Sequence, residues 1–183
     1  GGEEIVKKYA KDLDGFTGEV IVTKEQIESA SKLVPQKLKD DIKFAHERIK
    51  KFAEAQKKSV NEFETELSPG LWAGQKLIPI ETAGCYVPGG RYAHVASAIM
   101  SITTARVAGV ENVIACSAPK GEEGPNPAIL YTMNYCGADK ILALGGVQAI
   151  ASMAFGLFTG LSAKILVSII SSLLTLLFKF SNS

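Results

Sequence analysis

The chain has 183 residues, of which 46% are hydrophobic and 21% are charged, and its 20 basic and 19 acidic side chains give a formal net charge of +1. This composition is typical of a folded globular protein and excludes a disordered chain. The charge balance gives no indication of a nucleic-acid partner. The length suits one domain with a core, or a compact α/β unit that carries a helical extension.

The first part of the chain, residues 1–66, is predicted to be an N-terminal helical segment. Its apolar residues recur at helical spacing. They are Ile27, Ala30 and Leu33 in one run and Leu38, Ile42, Ala45, Ile49 and Phe52 in the next. Thr23 and Gln26 have the spacing of a capping box, and Pro35 is expected to separate the two helices. A turn and a short strand are predicted over residues 15–22.

From residue 67 to residue 160 the charges become sparse and the apolar pattern changes. Apolar runs within 77–87, 112–116 and 140–144 predict extended chain or buried strands. Helices are predicted over residues 94–109, 127–136 and 147–155. Because strands and helices alternate, the fold class is predicted to be α/β, with an incomplete Rossmann-like parallel sheet after the helical extension.

Two glycine turns are candidate ligand sites, since ligands of parallel α/β sheets bind at the carboxyl ends of the strands. The turns are Pro88-Gly89-Gly90 and Gly145-Gly146. Tyr86 comes just before the first turn and Gln148 just after the second, so both could contact a ligand. A tyrosine packed under its turn and a glutamine on the first turn of a helix are equally good interpretations. The chain has no GxGxxG, Walker A or GxSxG motif.

The cysteines and histidines do not form a metal site in sequence. Cys85, Cys116 and Cys136 are too far apart for a CxxC pair, and their apolar surroundings favour reduced, buried thiols of a cytoplasmic protein. His46 and His94 are the two histidines. We therefore predict that the chain does not contain a self-contained zinc site.

Four ordered motifs resemble the histidinol dehydrogenase family, and the resemblance extends from residue 1 to about residue 167. They are Gly84-Cys85-Tyr86-Val87-Pro88-Gly89-Gly90, Thr104-Ala105-Arg106-Val107-Ala108-Gly109-Val110, Cys116-Ser117-Ala118-Pro119 and Gly145-Gly146-Val147-Gln148-Ala149-Ile150-Ala151-Ser152-Met153-Ala154-Phe155-Gly156. The resemblance implies a cytoplasmic, zinc-dependent, NAD-linked homodimer that oxidises an alcohol through an aldehyde to a carboxylate. It also implies that Tyr86 and Gln148 contact NAD.

The resemblance ends where the family continues into a Gly-Pro-Gly-Asn segment, because this chain reads Ile165-Leu166-Val167-Ser168-Ile169-Ile170. The family's acid/base residues, zinc ligands and substrate serine have no matching position, so no catalytic or metal residue is carried over. Residues 161–183 are expected to be a divergent apolar tail that arose by truncation or frameshift. Between Lys164 and Lys179 it has fourteen uncharged residues, fewer than the roughly 20 that cross a bilayer, so a membrane anchor is not expected.

The residues after the first turn differ from typical histidinol dehydrogenases. Arg91 and His94 follow Gly90, and this stretch is similar to the family branch that acts on sulfonated diols such as 2,3-dihydroxypropane-1-sulfonate. An arginine beside a ligand turn would suit an anionic substrate. The resemblance thus implies a small polar alcohol as substrate, either that sulfonate or L-histidinol, and sulfonate catabolism or histidine biosynthesis as the setting. The alternative is a catalytically inactive fragment that binds a nucleotide or dimerises.

Overall fold

The structure is a computed structural model that describes residues 2–89, 93–163, 165–167 and 178–179. Six α-helices and eight strands are found in these ranges. The helices are α1 (Gly2–Asp14), α2 (Lys24–Leu33), α3 (Gln36–Ser59), α4 (Val95–Ala108), α5 (Pro127–Tyr135) and α6 (Gly146–Phe155). The strands are β1 (Phe63–Ser68), β2 (Leu71–Gln75), β3 (Ile78–Pro79), β4 (Thr82–Tyr86), β5 (Asn112–Cys116), β6 (Lys140–Leu142), β7 (Ile165–Val167) and β8 (Phe178–Lys179). A 3₁₀ turn lies at Gly121–Glu123.

The capping box before α2 is confirmed. The Thr23 amide donates to Gln26 Oε1 at 2.8 Å, and the Gln26 amide donates to Thr23 Oγ1 at 3.3 Å. Pro35 directly precedes α3, as predicted. The capping box is a reliable local signal because it satisfies backbone groups that the helix end leaves unpaired. Pro35 acts differently, since a proline disfavours helical backbone at the residue before it.

Two of the apolar positions predicted for the buried helix faces are wrong. Leu33 is 71% exposed and Phe52 is 64% exposed, whereas Ala53 is buried. At 3.6 residues per turn, Ala53 lies about 20° from Ile42 around the axis of α3 and Phe52 about 80° from it. The buried stripe therefore follows the small alanine, and the larger phenylalanine lies outside it.

A β-hairpin that the sequence analysis did not predict lies between the helices and the sheet. Its strands β1 and β2 are antiparallel, with Phe63 opposite Gln75 and Glu66 opposite Trp72. Both strands are largely exposed, and Trp72 is 55% exposed. Since β1 runs across residue 66, the predicted segment boundary falls within a strand.

The central sheet has four parallel strands in the order β6-β5-β4-β7. In chain order this is 3-2-1-4, so the direction of winding reverses between β4 and β7, as in one half of a Rossmann sheet. The predicted α/β class and parallel sheet are confirmed. β6 ends at Leu142, two residues earlier than predicted, and the Ala143 amide then donates to the carbonyl oxygen of Val20 at 2.8 Å. The short strand predicted over 15–22 is a single bridge from Ile21 to Leu142.

Both faces of the sheet are covered. Residues such as Cys85 and Ala115 point into a core shared with α2, α3, α4 and α5. Alternate residues such as Ile114 and Leu142 point into a second core, which also contains Val6 and Ala10 of α1 and Ala149 and Met153 of α6. With both faces buried, the ends of the strands are where a ligand can reach the sheet.

Most of the predicted apolar tail lies outside the described residues. The part that is described contributes β7, which pairs with β4, and β8, which pairs with β3. Among the described helices, none combines the length and the apolar character that a membrane span requires.

Candidate ligand site at the carboxyl end of the sheet

The ends of three neighbouring strands stay aligned for one residue beyond the sheet. The Val87 amide donates to the carbonyl oxygen of Cys116 at 2.9 Å, and the Ser117 amide donates to that of Leu142 at 3.2 Å. This alignment brings the two glycine turns against the segment that follows β5.

Close contacts with Ser117 and Ala118, which follow β5, explain two of the glycines. A Cβ on Gly145 would lie 2.5 Å from the Cβ of Ala118, and a Cβ on Gly89 would overlap the hydroxyl oxygen of Ser117. Gly146 has φ +56°, which favours glycine for a different reason. The glycines at 89 and 145 therefore already serve protein packing, and by themselves they do not indicate a ligand.

Tyr86 joins the two turns directly. Its hydroxyl oxygen accepts a hydrogen bond from the Gly146 amide at 3.3 Å, across 60 positions of sequence. Gly145 is the N-cap of α6 and provides no side-chain cap. The phenol thus takes the place of a capping side chain at the start of α6, an end that bears partial positive charge.

Gln148 lies in the first turn of α6 and is only 7% exposed. Its Nε2 donates to Oδ2 of Asp14, the last residue of α1, at 3.0 Å. The structure therefore places Tyr86 and Gln148 at the same helix end, a proximity that the sequence analysis did not predict. Asp14 was missed, because 134 positions separate it from Gln148 and no local pattern singles it out.

Ser117 is a second residue that the sequence analysis did not select. It is completely buried, and its hydroxyl has no hydrogen-bond partner among the described residues. A buried hydroxyl without a partner is unusual and costs free energy, so it marks a candidate ligand contact. The signal in the sequence was its place directly after β5, at the edge where ligands bind.

The cysteine beside Tyr86 does not fit a nucleophile. Burial raises the pKa of the Cys85 thiol to about 12, so the thiol stays protonated at neutral pH. Cys85, Cys116 and Cys136 are all buried and free, so the predicted burial of the three thiols is confirmed.

The basic residues proposed for an anionic substrate are only partly visible. Arg91 lies outside the described residues. His94 is exposed and is the N-cap of α4, without a side-chain capping bond. No group of three or more His, Cys, Asp or Glu side chains that could hold a metal ion occurs within the described ranges.

A half-Rossmann sheet of order 3-2-1-4 with polar side chains at an otherwise uncapped helix end defines a class of protein, the α/β domains that bind ligands at this edge. The comparison with known families is more specific. A model described as "Histidinol dehydrogenase" matches residues 1–167. The chain belongs to the histidinol dehydrogenase family, and the match ends at the residue where the sequence analysis placed the end of the resemblance.

Two of the relatives that match the chain have different names. The chain is 62% identical over 158 residues to a "Histidinol dehydrogenase homolog" of Pelagibacter ubique, which covers 86% of the chain and 37% of the relative. It is 53% identical over 167 residues to the "Sulfopropanediol 3-dehydrogenase" of Ruegeria pomeroyi, a match that covers 91% of the chain and 38% of that relative. The crystal structure of histidinol dehydrogenase from Elizabethkingia anophelis superposes with a TM-score of 0.83 at 33% identity, covering 90% of the chain and 38% of that structure. The chain thus spans less than two fifths of each relative's length.

Proposed function

We propose that the edge of the sheet formed by Tyr86, Gly146 and Gln148 binds the dinucleotide NAD. The observation that carries the proposal is the hydrogen bond from the Gly146 amide to the Tyr86 hydroxyl, because it brings Tyr86 to the helix end on which Gln148 lies. That helix end has no side-chain cap of its own. Its positive end favours a pyrophosphate, and the tyrosine ring offers an apolar surface with a polar tip.

The fit to a dinucleotide is supported by two polar groups with unused capacity. Ser117 presents a buried hydroxyl without a partner among the described residues, and Gln148 uses only its amide nitrogen in the contact with Asp14. Ribose and carboxamide groups could form hydrogen bonds with both. When bound, NAD would accept the hydride that each oxidation step removes from the alcohol carbon.

For the whole enzyme we propose an NAD-linked alcohol dehydrogenase that oxidises a small polar alcohol through the aldehyde to the carboxylate. The sulfonated diol 2,3-dihydroxypropane-1-sulfonate is the favoured substrate, in line with the name of the sulfopropanediol relative, and L-histidinol is the alternative. Zinc is proposed for the whole enzyme, but the described residues provide no ligand set that fits it, so we assign no zinc ligand or zinc-dependent step to this chain.

For the 183-residue polypeptide alone we propose cofactor binding without turnover, since no catalytic residue of the family could be assigned to it. A homodimer and a cytoplasmic location are proposed for the whole enzyme on the basis of family membership.

Calorimetric titration of the 183-residue chain with NAD tests the binding proposal. We expect saturable binding that is weakened in Tyr86→Ala and in Gln148→Ala. Tyr135→Phe is the matched control, because Tyr135 lies on α5, where it stacks on Tyr131 away from the turns. Absence of binding, or equal loss in all three variants, would refute the site.

A chimera tests the substrate proposal. Residues 1–167 would replace the matching segment of the Ruegeria pomeroyi sulfopropanediol 3-dehydrogenase, with which they share 53% identity. We expect NADH formation with 2,3-dihydroxypropane-1-sulfonate and little with L-histidinol. The reverse preference would favour histidinol, and loss of both activities in a folded chimera would contradict the family function.

A further inference from the structure

The last residue of α1 carries a charge that does not suit its own helix. Asp14 lies at the carboxyl end of α1, where the helix dipole disfavours a negative side chain. The same carboxylate lies at the amino end of α6, where a negative side chain is favoured: the position of a Cβ on Gly145 is 3.7 Å from Asp14 Oδ2. The placement of Asp14 is therefore explained by α6 and not by α1.

The contact with Asp14 fixes which way the Gln148 amide points. A carboxylate can only accept hydrogen bonds, so the Gln148 atom that faces Asp14 Oδ2 at 3.0 Å has to be the nitrogen. The carbonyl oxygen then points away. It lies toward the glycine turn, because a Cβ on Gly146 would be 2.9 Å from Gln148 Oε1.

The free oxygen of Gln148 is the group that remains for a ligand. Within residues 2–89 and 93–163 the Gln148 side chain forms one hydrogen bond, the donation to Asp14, so its Oε1 accepts none. Oε1 is also not a fully buried atom, so a ligand can reach it. An amide oxygen accepts from hydroxyl or amide N–H groups and repels phosphate oxygens.

We infer that Asp14 is a positioning residue that holds the Gln148 amide with its oxygen toward the glycine turn, so that Gln148 binds NAD as a hydrogen-bond acceptor. This inference depends on the proposed function of the site. It assigns Gln148 to a ribose hydroxyl or to the carboxamide N–H of the cofactor.

Asp14→Asn separates positioning from simple electrostatics. Removing a negative charge near the site would by charge alone strengthen the binding of anionic NAD. If Asp14 sets the orientation of the Gln148 amide, the asparagine introduced in its place can pair with Gln148 in either orientation. About half of the molecules then have the competent orientation, and NAD binding weakens by about twofold. Asp12→Asn is the matched control, because it removes the same charge from the same turn of α1 and Asp12 is exposed. Unchanged or tighter binding in Asp14→Asn would overturn the inference.

Moving the carboxylate from residue 14 to residue 148 tests whether NAD affinity can be restored. Gln148→Glu alone sets two carboxylates against each other, and we expect NAD binding to weaken by about tenfold. In the double variant Asp14→Asn with Gln148→Glu, the asparagine can donate to one glutamate oxygen while the other still faces the turn, and the charge of the pair is unchanged. We expect its affinity within about twofold of the unaltered chain. A double variant as weak as Gln148→Glu alone would contradict the acceptor role.

A measurement without cofactor keeps the two proposals apart. The side-chain amide resonance of Gln148 in ¹⁵N-labelled chain, assigned by its loss in Gln148→Glu, is expected to shift in Asp14→Asn and to stay unchanged in Asp12→Asn. If the unaltered chain does not bind NAD, the proposed function is wrong and the acceptor role fails with it, whatever the resonance shows. If the unaltered chain binds NAD but the Gln148 resonance does not shift in Asp14→Asn, the proposed function stands and the positioning inference alone is refuted.

Discussion

Arg106 is the residue whose removal should destabilise the fold most clearly outside the ligand site. It lies in the last turn of α4, and its guanidinium donates to the carbonyl oxygen of Gly137 at 2.7 and 2.6 Å. It also donates to the carbonyl oxygens of Val110 at 3.1 Å and Glu111 at 2.9 Å. Its ion pair with Asp139 measures 2.5 Å. One side chain thus ties the end of α4 to the turn before β6.

The cost of Arg106→Met follows from which of these groups are buried. The contacts with Gly137 and Val110 are partly buried, and loss of a charged donor to each is expected to cost about 1 to 1.5 kcal/mol. The Glu111 contact is exposed and is expected to contribute little. The ion pair adds about 0.5 kcal/mol, because its side chains are 29% and 42% exposed. Methionine keeps much of the apolar stem, so the free energy of unfolding should fall by about 3 kcal/mol in total.

Urea unfolding followed by circular dichroism measures this loss. With an m-value of about 2 kcal/mol/M, the midpoint should fall by about 1.5 M. Arg48→Met is the matched control, since Arg48 is an arginine whose exposed hydrogen bond is to Phe44 of its own helix, and its cost should stay below about 0.5 kcal/mol. Equal midpoint shifts in the two variants would show that the Arg106 contacts do not stabilise the fold as proposed.

Three further outcomes are expected. Gly145→Ala should lower the free energy of unfolding by about 1 to 3 kcal/mol because the new Cβ meets that of Ala118 at 2.5 Å, and adding Ala118→Gly should recover most of it. Thr23→Ala should cost about 1 kcal/mol in urea unfolding through loss of the capping box. Stability should fall as pH rises above about 9, because burial raises the pKa of Cys85 to about 12 and of Cys136 to about 11 from the ordinary value of 9.0.

The sign of the pH effect comes from proton binding. Between pH 9 and the raised pKa values the folded thiols keep protons that unfolded thiols release, so the stabilisation is complete below the ordinary pKa and is lost above it. Cys85→Ala should flatten this decline relative to the unaltered chain. A free energy of unfolding that stays constant up to about pH 10.5 would contradict the pH prediction. The packing prediction fails if Ala118→Gly does not restore the stability of Gly145→Ala. The capping prediction fails if Thr23→Ala leaves the urea midpoint unchanged.

The parts of the fold that could be predicted from sequence are those with local signals. Thr23 and Gln26 are three residues apart and satisfy each other's amides, so their spacing alone was sufficient. Gly109, with φ +94°, ends α4 where the apolar helical pattern ends. β5 is an uninterrupted apolar run that both cores bury. The hairpin also left a signal, since Phe63, Thr65 and Leu67 alternate with polar residues before the Pro69-Gly70 turn.

The candidate site was only half predictable. Tyr86 and Gln148 could be selected because each is next to a glycine turn, and as NAD contacts they stay predictions. Asp14 could not be selected, because what distinguishes it is a partner 134 positions away. Ser117 had a signal in its place directly after β5, but its lack of a hydrogen-bond partner among the described residues could not be foreseen. Both properties exist only after the chain has folded.

The attachment of α1 also determines when the site can form during synthesis. Glu3 accepts from the Phe158 amide at 2.8 Å across 155 positions, and Asp14 reaches Gln148 across 134. At roughly 5 to 20 residues per second, a ribosome needs about 7 to 30 seconds to make the partners that α1 docks against. During that interval Val6 and Ala10, which end up 4% and 1% exposed, have no surface to cover them. α1 is therefore made well before the partners it docks against, and the ligand edge forms only after this long loop has closed.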